Sequence, residues 1–235
     1  MSGLPDSRPA ARPSLWTRIL LFISFFVLIQ LPPVLLLGFQ KLPASSILGR
    51  SLLAVGYIAG YALVIWLVWL ALKRVTTGPI WRRLTGPDWR MIAIGWIGFF
   101  VIEIGLNMLN QLLFSQTETA NNQAIIDLLK SDHWTFYLLM FSGVVMSPIL
   151  EELLFRGYLV NAFFKTNQFW WPVIFSGVAF SIGHASSNPV SFLIYACLGG
   201  ILATVYLKTN NLTTSIGVHM LNNAIAMAGM AVMLR

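Results

Sequence analysis

Six ionisable side chains interrupt the long apolar runs of this chain: Glu103, Glu151, Glu152, Arg156, His184 and His219. Adjacent residues on a helix point about 100° apart, so Glu151 and Glu152 cannot serve one purpose. Glu152 and Arg156 stand four apart with the acid first, the favourable order for a pair on one face. That pairing fixes Glu152 as a carboxylate and leaves Glu151 unpaired, free to take a proton as a general base does. Pro148, just ahead of them, is expected to bend the helix and open room for water. His184 closes Phe-Ser-Ile-Gly-His, where Gly183 permits close approach of another helix or a substrate backbone. His219 and Asn223 share a helical face, and both can donate hydrogen bonds to one point, as a carbonyl oxygen under attack requires. Each signal also has a plainer explanation: a satisfied core histidine for His184, and interhelical polar contacts of about 0.6 kcal/mol each for His219 and Asn223. Together they supply an activated water and a stabilised oxyanion, the needs of peptide-bond hydrolysis. Glu103, followed by Asn107 and Asn110 on its own face, is a candidate to line the same cavity and meet substrate, or to bond between helices. Phe180 and Asn222 are further candidates to line the cavity.

These groups need elements that hold them in an apolar medium, and the composition provides little else. Of 235 residues 57% are hydrophobic and only 10% charged, with a mean hydropathy of +0.75. Soluble domains carry about 25% charged residues, so a soluble enzyme, a nucleic-acid binder and a disordered tail are excluded as descriptions of the whole chain. The net charge of +7 is divided among loops between apolar runs, which points to membrane orientation and away from nucleic acid. The single cysteine, Cys197, excludes an internal disulfide and reads as a small buried residue.

Uncharged runs cover 19–40, 51–72, 133–150, 166–207 and 209–234, and 91–114 is broken only by Glu103. A span needs about 20 apolar residues, so the 42-residue run 166–207 is divided at the turn signal Ser-Ser-Asn-Pro, 186–189. The expectation is an all-α, polytopic bundle of about seven transmembrane helices with a polar cavity inside the bilayer. A mobile basic segment, 1–18, precedes one transmembrane domain, 19–235. Arg8, Arg12 and Arg18 ahead of an apolar run resemble a signal peptide, but the run is a full span long and no small-residue cleavage site closes it; a retained helix is expected. Ten basic residues fall on the amino-terminal side and four on the other, so the amino terminus is expected in the cytoplasm and the protein in the cell membrane. Trp81 and Trp89 read as interfacial anchors. Between Ser115 and His133 a connecting loop is the plainer expectation, although Ile125, Ile126, Leu128 and Leu129 could form one face of a short interfacial helix capping a substrate entrance. One difficulty is depth. A seven-span layout puts His184 near the outer end of its helix and His219 near the inner end of its own.

The ordered set Glu151-Glu152-x-x-x-Arg156, Phe180-x-x-x-His184 and His219-x-x-x-Asn223 resembles the CAAX-protease and bacteriocin-processing family of intramembrane endopeptidases, also called Abi or Rce1-like. The motifs lie 33 and 35 residues apart, and the resemblance covers about 136–233, the expected catalytic core. It implies that Glu151 and His184 activate water, that His219 and Asn223 stabilise the oxyanion, and that Glu152 with Arg156 supports them. The implied partners are a peptide or membrane-protein substrate and the lipid bilayer, with no nucleic acid. The family includes CAAX-processing enzymes and bacterial relatives linked to bacteriocin maturation or immunity, and the short chain looks like the bacterial branch. Glu151, His184 and His219 could also form a Zn2+ site with an open position. His-Glu-x-x-His is absent, so the metal-free glutamate mechanism is slightly favoured. Two alternatives remain: a non-catalytic immunity or membrane binding protein, and a proton-coupled transporter using the same acids and histidines.

Overall fold

The computed structural model describes residues 12–76 and 78–234. The chain is all-helical: α1 Leu15–Leu28, α2 Leu31–Lys41, α3 Ile47–Leu72, α4 Gly86–Phe114 and α5 Ala120–Leu129, then α6 His133–Phe163, α7 Trp170–Ile182, α8 Pro189–Thr209 and α9 Leu212–Met233. Helices satisfy their own backbone hydrogen bonds, which is what a segment inside lipid requires. Among the described residues six segments are long and apolar enough to cross a membrane, α1 with α2 counting as one, and α7 is a shorter apolar helix. Exposed Leu20, Ile23, Leu52, Val55, Ile94 and Ile97 face outward, while the packed interior contains Tyr57, Phe99, Leu154, Phe155, Leu202 and Leu212.

Local sequence explains the boundaries. Ser14 caps α1 by accepting from the Thr17 amide, so the first helix starts before position 19, and 15–18 belong to it. Residues 1–11, including Arg8, lie outside the described residues. Pro32 and Pro33 cannot donate to preceding carbonyls, and the helix breaks at Ile29–Gln30 between α1 and α2. Thr85 and Asp88 form a capping box at the start of α4; Asn188 and Ser191 form another at the start of α8, with Pro189 in its first turn.

The connecting loop expected between Ser115 and His133 is instead largely helical. Thr119 caps α5, and its apolar residues Leu129, Ile125 and Ile126 pack with Met227 and Met230 of α9. A ten-residue helix is marginal alone, and this tertiary packing makes it worth forming. Asp132 caps α6 through the Trp134 and Thr135 amides and pairs with Arg50 at 2.7 Å. Burial raises its pKa, but the Thr135 bonds and the Arg50 guanidinium outweigh it and hold the carboxyl below the usual range.

Polar contacts gather the connections at two ends. At one end Arg12 donates to the carbonyls of Asn161 at 2.7 Å and Val75 at 3.5 Å, Arg18 donates to the Ala162 carbonyl, and Arg82 donates to the Thr209 carbonyl at 2.8 Å. At the other, Arg50 meets Asp132, and Asn188 donates to Gln116 at 2.7 Å and Asn110 at 2.8 Å. The connections alternate between these ends, giving seven traverses of the bundle. The one through α7 is short: its 13 residues rise about 20 Å, against about 30 Å of hydrocarbon.

Candidate active site

The site begins with an irregularity in α6. Residues Ser142–Met146 form a π-helical turn, followed by Pro148 in the next turn. The Ser147 amide donates to the Ser142 carbonyl, five residues back. In that register the Gly143 carbonyl would receive the amide of residue 148, which proline lacks. Asn223 of α9 supplies the missing donor, its Nδ2 lying 2.9 Å from the Gly143 oxygen. The expected distortion at Pro148 is thus a widened turn that also ties α6 to α9, and π turns recur at functional sites.

One helical turn later the two glutamates diverge. Glu152 is fully buried; its Oε1 accepts from Arg156 Nη1 at 2.8 Å and from His219 Nδ1 at 3.0 Å. Arg156, also fully buried, donates from Nη2 to the Gly199 carbonyl of α8 at 2.7 Å. Its guanidinium lies 4.8 Å from the centre of the Phe180 ring, so one cation joins α6, α7 and α8. Glu151 faces a cavity of about 420 Å³. Its Oε1 accepts from Ser147, whereas its buried Oε2 makes no hydrogen bond and lies 3.9 Å from His219 Nε2.

The cavity brings together Glu103, Glu151, His184, His219, Asn222 and Asn223. Phe180 lines it too and lies between the imidazoles, 4.4 Å from the His184 ring centre and 5.6 Å from that of His219. Tyr195 of α8 stacks on the other face of His184 at 4.5 Å. Glu152 and Arg156 stand behind this wall, outside the lining. Of the Glu103 group, Asn107 shares the cavity, while Asn110 is buried and donates to the Gln116 carbonyl at 3.2 Å. The depth difficulty has a physical answer in the short α7. That helix ends at Ile182, so His184 sits well short of where a full-length span would carry it.

Hydrogen-bond partners set the proton positions. His184 Nδ1 lies 2.8 Å from the Phe180 carbonyl, an acceptor, so this nitrogen donates and a neutral ring offers its Nε2 lone pair. His219 Nδ1 donates to the Glu152 carboxylate at 3.0 Å. With Nδ1 held there, the other ring nitrogen, Nε2, is turned to the Glu151 side of the cavity, 3.9 Å from its Oε2. For zinc, Glu151, His184 and His219 would have to converge on one point. Among the described residues no three His, Cys, Asp or Glu side chains are so arranged, so these residues do not fit the ion.

Sequence reading missed Ser147, which stands four residues before Glu151 and was open to the argument that paired Glu152 with Arg156. It also missed Tyr57, Tyr61 and Tyr195. All three line the cavity, and Tyr57 hydrogen-bonds Ser142 beside the π turn.

Fold and cavity define a multi-pass helical membrane protein with acid, imidazole and amide groups enclosed between its spans. Residues 133–225, the part that carries Glu151, His184, His219 and Asn223, match the family described as Type II CAAX prenyl endopeptidase Rce1-like. Similar proteins include "Putative membrane peptidase YdiL" of Bacillus subtilis, 29% identical over 45% of this chain and 41% of that protein. "Uncharacterized protein YyaK" of the same organism is 24% identical over 66% and 54% of the two chains. "UPF0177 protein YvdC" of Lactococcus lactis is 25% identical over 56% and 49%. The match therefore spans about half the length of these relatives. No solved structure matches the chain.

Proposed function

We propose that the protein is an intramembrane endopeptidase that hydrolyses a peptide bond of a membrane-associated or peptide substrate with water activated by Glu151 and His184. The carrying observation is the unpartnered Glu151 Oε2 in a shared cavity, 3.9 Å from His219 Nε2. A water held by Glu151 and the free His184 nitrogen attacks the scissile carbonyl carbon, and Glu151 takes its proton. The carbonyl oxygen becomes an oxyanion that accepts from His219 Nε2–H and from the second Nδ2–H of Asn223, the first being held by Gly143. Glu151 then passes the proton to the amide nitrogen, the C–N bond breaks, and an acid and an amine leave. Glu152, itself held by Arg156, orients His219 through Nδ1. The family match over 133–225 and the similarity to "Putative membrane peptidase YdiL" support this reading.

The test is a cleavage assay on a peptide library with protein in detergent, comparing wild type with Glu151→Gln and His184→Ala, with and without chelator. General-base loss is expected to lower turnover by about 10²–10⁴-fold in the Glu151 variant without changing its thermal unfolding, and chelator is expected to leave wild type active. Full activity in Glu151→Gln, or peptide capture by wild type with no cleavage of any library member, would overturn the proposal.

A further inference from the structure

A second hollow, of about 740 Å³, lies between α4 and α9. It shares Glu103, Asn107, Asn222 and Ala226 with the cavity around Glu151, so the two meet at the Glu103 carboxylate. Its outer wall carries Phe100, Met108 and Ile225, all exposed on the apolar flank of the bundle. Trp96 and Phe100 stand one helical turn apart on this wall, with ring centres 5.7 Å apart.

Among the described residues Glu103 receives one hydrogen bond, from Asn222 Nδ2 at 3.4 Å. Among the described residues it belongs to no ion pair, in contrast to Glu152, Asp88 and Asp132. Glu118, whose charge also acts on Glu103, is negative as well and is held by Asn122 at 3.0 Å. A carboxylate beside aromatic faces, with amides around it, is a recognition set for an ammonium or guanidinium group. An apolar neighbour there would leave the carboxylate uncompensated, whereas a cation removes that penalty.

We propose that this hollow is a substrate subsite for a lysine or arginine side chain, entered from the lipid flank between α4 and α9, with Glu103 as the acceptor. A chain segment seated there leads directly into the cavity of Glu151, which is why a substrate side chain is the assigned occupant. The assignment rests on the endopeptidase reading.

The experiment uses the full chain in phosphatidylcholine nanodiscs and pairs of fluorescent peptides carrying lysine or norleucine at one position, scanned along the sequence. Anisotropy binding to Glu151→Gln measures recognition without turnover, so failure of cleavage and failure of this subsite are read separately. At one position lysine is expected to bind at least about tenfold tighter than norleucine. Adding Glu103→Gln is expected to collapse that ratio towards one, and Glu103→Lys to shift preference to a glutamate peptide. A lysine-to-norleucine ratio that is one throughout, or that survives in Glu103→Gln, would overturn the proposal. Loss of the preference on adding phosphatidylethanolamine would assign the subsite to a lipid amine and overturn the peptide assignment.

Discussion

Arg156 shows how the wall of the cavity depends on a residue that never reaches it. Its charge is fully buried, and it bonds the Glu152 carboxylate and the Gly199 carbonyl. Replacing it with methionine keeps much of the volume but strands Glu152, and breaking a buried pair in this way costs about 3–5 kcal/mol. Arg156→Met is therefore expected to unfold at markedly lower temperature in detergent. The double variant Arg156→Met, Glu152→Gln is expected to regain much of the stability but not the activity, because His219 has lost the carboxylate that orients its ring. Equal stability of the single and double variants would show that the pair is not the cause. At this scale the sequence was most legible. A charge inside an apolar run is conspicuous, and i,i+4 spacing identified the Glu152–Arg156 pair without knowledge of the fold. The tyrosines escaped because a phenol in a span is no anomaly; only tertiary packing shows Tyr195 against His184.

The elements place these residues through close helix approach. A Cβ added at Gly177 of α7 would lie 2.5 Å from the Ala196 carbonyl oxygen of α8, and one at Gly199 would lie 2.8 Å from the Phe180 Cβ. Small residues let two backbones meet where lipid offers no hydrophobic drive for association. The same contact aims the Gly199 carbonyl at Arg156 and sets Phe180 between the imidazoles. Gly177→Ala is thus expected to push α7 from α8, lowering the unfolding temperature and cutting turnover at least about tenfold, as misplacement of about 1 Å does. Gly105→Ala, where an added Cβ meets nothing within 4 Å, is the control and should match wild type in the same two measurements. Less of this was legible in advance. No charge marks where α7 begins within Phe169-Trp170-Trp171, so its length, and hence the depth of His184, could not be read from hydropathy. The α5 pattern was visible at Ile125, Ile126, Leu128 and Leu129, but its stability comes from Met227 and Met230 across the fold.

At the scale of the molecule the question is which way round the bundle lies. The end formed by 12–18, 73–76, 78–85, 161–165 and 208–212 carries Arg12, Arg18, Lys73, Arg74, Arg82, Arg83, Lys165 and Lys208. The other end carries Lys41, Arg50 and Lys130. That grouping of side-specific loops agrees with the alternation read from the sequence, because short α7 still returns the chain to the sparsely charged end at Asn188. Basic loops are retained in the cytoplasm, so the richer end is expected there, with α5, whose Ile125 and Leu128 line the cavity, covering the site from the opposite side. In a Cys197→Ser background, exposed Arg83→Cys and Lys165→Cys are expected to react with a membrane-impermeant maleimide only after cells are permeabilised. Exposed Lys41→Cys and Lys130→Cys should react on intact cells. The reverse pattern would invert the orientation while keeping the fold. A disagreement between Arg83 and Lys165 would mean that α4 and α6 do not both cross, and a cavity enclosed by the bundle could not then lie within the membrane.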